Sequence, residues 1–235
     1  MFALEELLSD SSQWNYGPLN ILSIIHVIAV CWEIRRSVAV NELSFYHTMS
    51  LIIIRSFGGT TLAAMLLGIP APWIISSTAI PTVLIVWAVM YYSPYDFVYK
   101  ILCYLDKILF PIVKMLDSIS SCFSIVLFGI ESAQSRSLGF FSSLTLGTLS
   151  GCGGGLVASM LGLHKKKLIL AAPNHFYSLK NSLTYSIVIS VMFLLLDSLI
   201  DRNQNIKLAS VLSIALNMIV NNIASTVSTK KLKKK

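Results

Sequence analysis

Long runs free of charged side chains divide this sequence, and short segments carrying lysine or arginine separate most of them. Ser11 to Trp32 has no charge, Leu43 to Tyr95 has only Arg55, Ser137 to Leu163 has none, Leu168 to Leu196 has only Lys180, and Leu208 to Thr229 has none. A weaker run, Leu109 to Ile130, includes Lys114 and Asp117. A helix needs about 20 apolar residues to cross the hydrocarbon core of a bilayer. Pro70 and Pro72 divide the longest run by a tight turn, since proline interrupts helical hydrogen bonding. The pattern therefore predicts seven spanning helices at about 17–33, 43–69, 73–93, 109–130, 137–163, 175–199 and 207–229, preceded by segment 1–16 and followed by a basic tail, 230–235.

Composition agrees with this reading. The chain is 55% hydrophobic and 12% charged, with a mean hydropathy of +0.73, whereas a soluble domain carries roughly 25% charged residues. The fold class is an all-α integral membrane protein. Basic residues in short loops stay on the cytoplasmic side. Glu5, Glu6 and Asp10 precede the first span, Arg35 and Arg36 follow it, Lys100 and Lys107 follow the third, Lys165 to Lys167 follow the fifth, and five lysines end the chain. That alternation puts the N-terminus outside or in a lumen and the C-terminus in the cytoplasm.

The net charge of +7 lies mostly in those loops and the tail, so topology accounts for it without a nucleic-acid partner. The acidic start lacks the features of a cleavable signal, and the first span is expected to remain. Cys31, Cys103, Cys122 and Cys152 are scattered without C-x-x-C spacing, which excludes an evident metal or disulfide framework. His26, His47, His164 and His175 have no spacing to a nucleophile or carboxylate that would make a catalytic group, so an enzyme is not expected.

One internal repeat stands out. Ser56 to Gly68 recurs as Ser150 to Gly162, aligning Ser56/Ser150, Gly59/Gly153, Leu62/Leu156, Ala64/Ala158, Leu67/Leu161 and Gly68/Gly162 without a gap. The copies fall in spans two and five, three spans apart, so they run in opposite directions through the membrane. Inverted repeats of this kind, here three helices plus three with a seventh added, place a transport pathway at the repeat interface. Glycine costs a helix roughly 1 kcal/mol relative to alanine. The clusters Gly58-Gly59 and Gly153-Gly154-Gly155 accordingly mark either bends in helices two and five or close approaches of backbone. Small residues in membrane helices also serve simple close packing; their symmetric recurrence favours a pathway.

The candidate pore-lining and gating residues are Arg55, Ser56, Gly58, Gly59, Thr60, Thr61, Ser150, Gly153, Gly154, Gly155 and Lys180. Glycine carbonyls and neighbouring hydroxyls form a neutral oxygen lining, which suits monovalent cations better than Ca2+ with its preference for carboxylates. Arg55 lies near the middle of span two, where a charge is costly and marks a functional site by default. Lys180 either lines the pathway or extends its ammonium to the headgroups. Asp197 is the acidic residue read as nearest a core, at a helix end. Asp96 is expected to cap the segment after Pro94 or to pair with Lys100.

With these residues in view, the sequence resembles the trimeric intracellular cation channels. The likeness is carried by Met49 to Gly68 with Ser56-Phe57-Gly58-Gly59, by Trp87 to Asp96 (W-A-V-M-Y-Y-S-P-Y-D), by Gly147 to Gly155, and by Tyr177 to Ser186 with Lys180 at the family's lysine position. The resemblance implies a homotrimer with a pore in each protomer, bent helices two and five facing it, no cofactor, and conduction of K+ and, less well, Na+. It further implies residence in the endoplasmic or sarcoplasmic reticulum and a counter-ion role. The dilysine-like register of Lys231 and Lys233 agrees with that membrane, and the basic tail would contact anionic lipids. The family's K-E-V phosphoinositide motif has no counterpart in Asp117 to Ser124, which leaves Lys114 as a weak lipid-binding candidate. Arg55 replaces a histidine common in the family. The competing function is a secondary transporter for a small solute built on the same inverted repeat.

Overall fold

A computed structural model describes residues 21–37, 44–161 and 180–232, with backbone alone for 180, 181 and 220–232. Segment 1–16, Lys165 to Lys167, Gly162 and the side chains of Lys180 and the basic tail lie outside what is described. The described residues form helices and turns, without strands. The long helices are α1 (Ile21–Ser37), α2 (Phe45–Leu67), α3 (Ala79–Tyr92), α4 (Asp106–Phe123, continued by a π-helical stretch Ser124–Ile130 and a last turn Glu131–Gln134), α5 (Phe140–Met160), α6 (Lys180–Leu196) and α7 (Arg202–Leu232).

Phe45–Leu67, Asp106–Gln134 and Phe140–Met160 are long and apolar enough to cross a bilayer, while Ala79–Tyr92 and Ser182–Leu196 are apolar but shorter. The third helix starts later than expected because Pro72 opens a separate turn, Pro72–Ile75, on the N1 position that proline favours. Gly68 ends α2 in the left-handed conformation (φ 65°), its N–H donating to Met65 O, and any side chain there would be strained.

Two larger cores form, with a smaller cluster of Ala63, Ala133 and Leu146 beside them. Val27, Trp32, Leu51, Ile52, Val83 and Trp87 join α1, α2 and α3. Ile119, Phe123, Ile125, Ile189, Phe193 and Ile206 join α4, α6 and α7, with Leu22 of α1. The outer surface keeps large apolar side chains exposed, among them Met65, Leu66, Ile85 and Phe141, as a lipid- or subunit-facing surface does.

Between the two cores, α5 meets its neighbours backbone to backbone. Both glycine helices keep helical backbone through their clusters, where the missing side chains admit close neighbours. A Cβ on Gly59 would lie 2.2 Å from Ser150 O, one on Gly153 2.8 Å from Gly59 Cα, and one on Gly154 2.3 Å from Arg55 O. As the α2 position falls from 59 to 55, its partner rises from 150 to 154, so the helices are antiparallel at the contact. The other side of α5 packs as closely, against side chains of α6 and backbone of α4: a Cβ on Gly147 or Gly151 would meet Ser190 Oγ at 2.8 Å or Ser186 Oγ at 2.6 Å on α6, and one on Gly129 of α4 would meet Gly147 Cα at 2.6 Å.

Candidate functional site: a polar cavity beside the glycine contact

Alongside the contact of α2 with α5 lies a cavity of about 260 Å³, walled by α1, α2, the start of α3, α4, α5 and the Pro72–Ile75 turn. Its wall is rich in hydroxyls, including Ser23, Ser56, Thr60, Thr82, Ser124 and Ser150, interspersed with Phe57, Trp73 and Phe128. Of the sequence-predicted residues, Arg55, Ser56, Gly59, Thr60, Ser150, Gly154 and Gly155 line it. Gly58 and Gly153 are instead spent on backbone contact, Gly58 against Gly154 and Gly153 against Gly59. Thr61 turns to the structure around the mouth: its hydroxyl donates to Phe57 O at 2.7 Å and accepts from Trp73 Nε1 at 2.9 Å. Trp73 also stacks on Phe57, ring centroids 6.0 Å apart.

Local sequence explains the wall. Hydroxyl side chains in an apolar helix satisfy themselves on the preceding turn, as Thr60 Oγ1 does on Phe57 O at 3.0 Å. Ser124 and Ser150 do more, tying α4 to α5: Ser150 Oγ donates to Ser124 O at 2.8 Å, and the two hydroxyl oxygens are 2.8 Å apart. Ser124 is the first residue of the π-helical stretch. Such widened turns recur at functional sites.

The charges behind the cavity form a chain across three helices. Arg55 Nη2 of α2 donates to Glu33 Oε2 of α1 at 2.9 Å. Lys114 Nζ of α4 contacts Glu33 Oε1 at 2.6 Å and Asp117 Oδ2 at 3.1 Å. Asp117 Oδ1 lies 2.6 Å from His26 Nδ1 of α1. Sequence reading had Arg55 and Lys114 but missed Glu33, Asp117 and His26 as part of one network. Lys114, the weak lipid-binding candidate, has a side chain only 14% exposed, with its ammonium held by two carboxylates. Asp197, expected near a core, instead accepts from Gln134 Nε2 at 2.9 Å on the surface, whereas Glu33 and Asp117 are paired with cations between the helices. The serine-rich stretch Ser118 to Ser124, unusual in an apolar helix, was the available signal for the α4 wall.

One end of the bundle is fixed by a second cluster. Arg35 of α1 forms two parallel bonds of 2.9 Å to Asp96, also donates to Met90 O, and lies 3.9 Å from the Tyr99 ring centroid. Burial raises the Tyr99 phenol above its ordinary value, so the ring stays neutral beneath the guanidinium. Tyr95 and Asp96 both take positive φ, 53° and 60°. Asp96 thus stands at the N-cap position of the following helix, Phe97–Tyr104, without a side-chain capping bond, and its carboxylate pairs with Arg35 rather than Lys100.

The comparisons with known proteins fit this architecture. The family model for the TRIC channel matches residues 21–229. The chain belongs to the TRIC channel family. It is therefore a multi-pass membrane protein of a family of channels, not of enzymes. A solved structure described as the structural basis for activity of TRIC counter-ion channels in calcium release superposes with a TM-score of 0.73 at 21% identity, covering 93% of this chain and 99% of the other. A trimeric intracellular cation channel from C. elegans with bound Ca2+ gives 0.67 at 16% identity, covering 93% and 97%. A prokaryotic TRIC channel in 0.5 M KCl gives 0.55 at 19% identity, covering 85% and 93%. The superpositions show a shared fold. A comparison with curated protein sequences returns no match.

Proposed function

We propose that this chain is a monovalent cation channel, permeable to K+ and less so to Na+, with a pore in each protomer of a homotrimer. In this reading seven helices span the membrane as an inverted 3+3 repeat plus one, the N-terminus is luminal and the C-terminus cytoplasmic. The membrane is that of the endoplasmic or sarcoplasmic reticulum, where the current balances charge moved by other ions. The observation that carries it is the hydroxyl-lined cavity beside the antiparallel glycine contact, whose arginine is matched by a carboxylate. Neutral oxygens replace part of a monovalent ion's hydration shell without holding it tightly. The antiparallel pairing of two aligned segments supports the inverted repeat, and the solved relatives described as cation and counter-ion channels support the ion and the trimer. No phosphoinositide is assigned to Lys114, which already serves two carboxylates.

Planar-bilayer recording of the purified protein in asymmetric KCl tests the reading. Unitary steps reversing near the K+ equilibrium potential are expected. Reversal near the Cl− potential would overturn cation conduction, and solute flux without unitary steps would favour the secondary transporter.

A further inference from the structure

Among the described residues lining the cavity, Arg55 is the sole lysine or arginine and none is acidic. Left alone, that guanidinium would repel cations from the space the proposed function assigns to them. Glu33 lies behind it and divides its carboxylate, giving Oε2 to Arg55 at 2.9 Å and Oε1 to Lys114 at 2.6 Å. Asp117 cannot take over this task, because its oxygens already serve Lys114 at 3.1 Å and His26 at 2.6 Å. Arg55 and Lys114 are matched by Glu33 and Asp117, and Glu33 is the anion in direct contact with the cavity's arginine.

We propose that Glu33 sets the charge selectivity of the channel by neutralising Arg55, an inference that rests on the cation-channel reading. Removing the carboxylate leaves one uncompensated positive charge, that of Arg55 at the wall, because Lys114 keeps Asp117 at 3.1 Å. Coulomb energy in a wet cavity a few ångströms wide then lowers cation entry. Removing Arg55 as well returns the wall to neutrality.

The test compares wild type, Glu33→Gln, Arg55→Gln and the Glu33→Gln/Arg55→Gln double variant in the same asymmetric KCl bilayers. Glu33→Gln should lower unitary K+ conductance roughly three- to tenfold, the Boltzmann factor of one unmatched unit charge near the path, and move the reversal potential toward that of Cl−. Arg55→Gln alone should raise the K+ over Cl− permeability ratio, and the double variant should recover most of the wild-type ratio. Permeability ratio is the deciding readout, because a purely structural role for Glu33 would lower open probability or yield without moving it. A wild-type reversal potential in Glu33→Gln would overturn the proposal. Should Glu33→Gln fail to assemble, an unchanged ratio in Arg55→Gln would overturn it instead. Absence of cation current in the wild type is a failure of the channel reading itself and is seen before any variant is made.

Discussion

A methyl group on Gly154 would stand 2.3 Å from the carbonyl oxygen of Arg55, a separation that packed side-chain carbons do not adopt. The smallest side chain is thus excluded from the centre of the α2–α5 contact. In lipid, helices associate through close packing and hydrogen bonds rather than through expulsion of water, so this contact is a main source of cohesion between the two halves.

Gly154→Ala should therefore push α2 from α5 and destabilise the protein by about 1–3 kcal/mol, the usual cost of forcing extra atoms into a packed interior. Gly139→Ala is the matched control, since a Cβ there meets nothing within 4 Å. Thermal unfolding in detergent should show a lowered midpoint for the first and a change near zero for the second. Equal midpoints would mean that the glycine contact contributes nothing.

Ser124 and Ser150 offer a test of the link between α4 and α5. Each hydroxyl bonds to the other residue, with Ser150 Oγ to Ser124 O at 2.8 Å. Ser150→Ala should cost about 1 kcal/mol, the net worth of a typical intramolecular hydrogen bond. A double-mutant cycle with Ser124→Ala should return a coupling energy of roughly 0.5–1.5 kcal/mol, within the range for residues sharing bonds. Additive effects in unfolding measurements would contradict the reciprocal arrangement.

Arg35 and Asp96 fix the end of α1 to the segment after α3. The Arg35 side chain is 2% exposed and Asp96 is 39% exposed. Breaking a fully buried pair costs about 3–5 kcal/mol, and the partly wet carboxylate reduces that to about 2 kcal/mol here. Asp96→Asn keeps a residue that tolerates the left-handed backbone and removes the charge alone, so its unfolding midpoint should fall. Arg35→Lys should fall at least as far, because an ammonium cannot reproduce the two parallel bonds or the guanidinium's stacking on Tyr99. An unshifted midpoint in both variants would remove the clamp from the account of stability.

Much of the fold was legible because membrane burial writes itself into composition: Leu43 to Tyr95 with one charge, or Ser137 to Leu163 with none, leaves little choice but apolar helix. The repeat also located the contact between α2 and α5, since Gly59 and Gly153, aligned in sequence, are neighbours in space. Less legible was what those glycines do. A glycine pair looks the same in sequence whether it loosens a helix or admits a neighbour, and the choice depends on whether another backbone lies within reach, as Ser150 O does for Gly59. Asp96 shows the same limit: Lys100, four residues on, was the local partner, but Arg35, 61 positions away, holds it.

Sequence by itself determined the helical membrane class, the principal helices and the positions where side chains are small enough for close approach, because each follows from hydropathy and residue size along the chain. Tertiary structure alone decided that Glu33 stands between Arg55 and Lys114, that Asp117 reaches His26, and that Ser124 meets Ser150. Those pairings join helices distant in sequence, and an ion pair a few ångströms long depends on how deep and how far rotated each helix sits, which no local pattern of residues specifies.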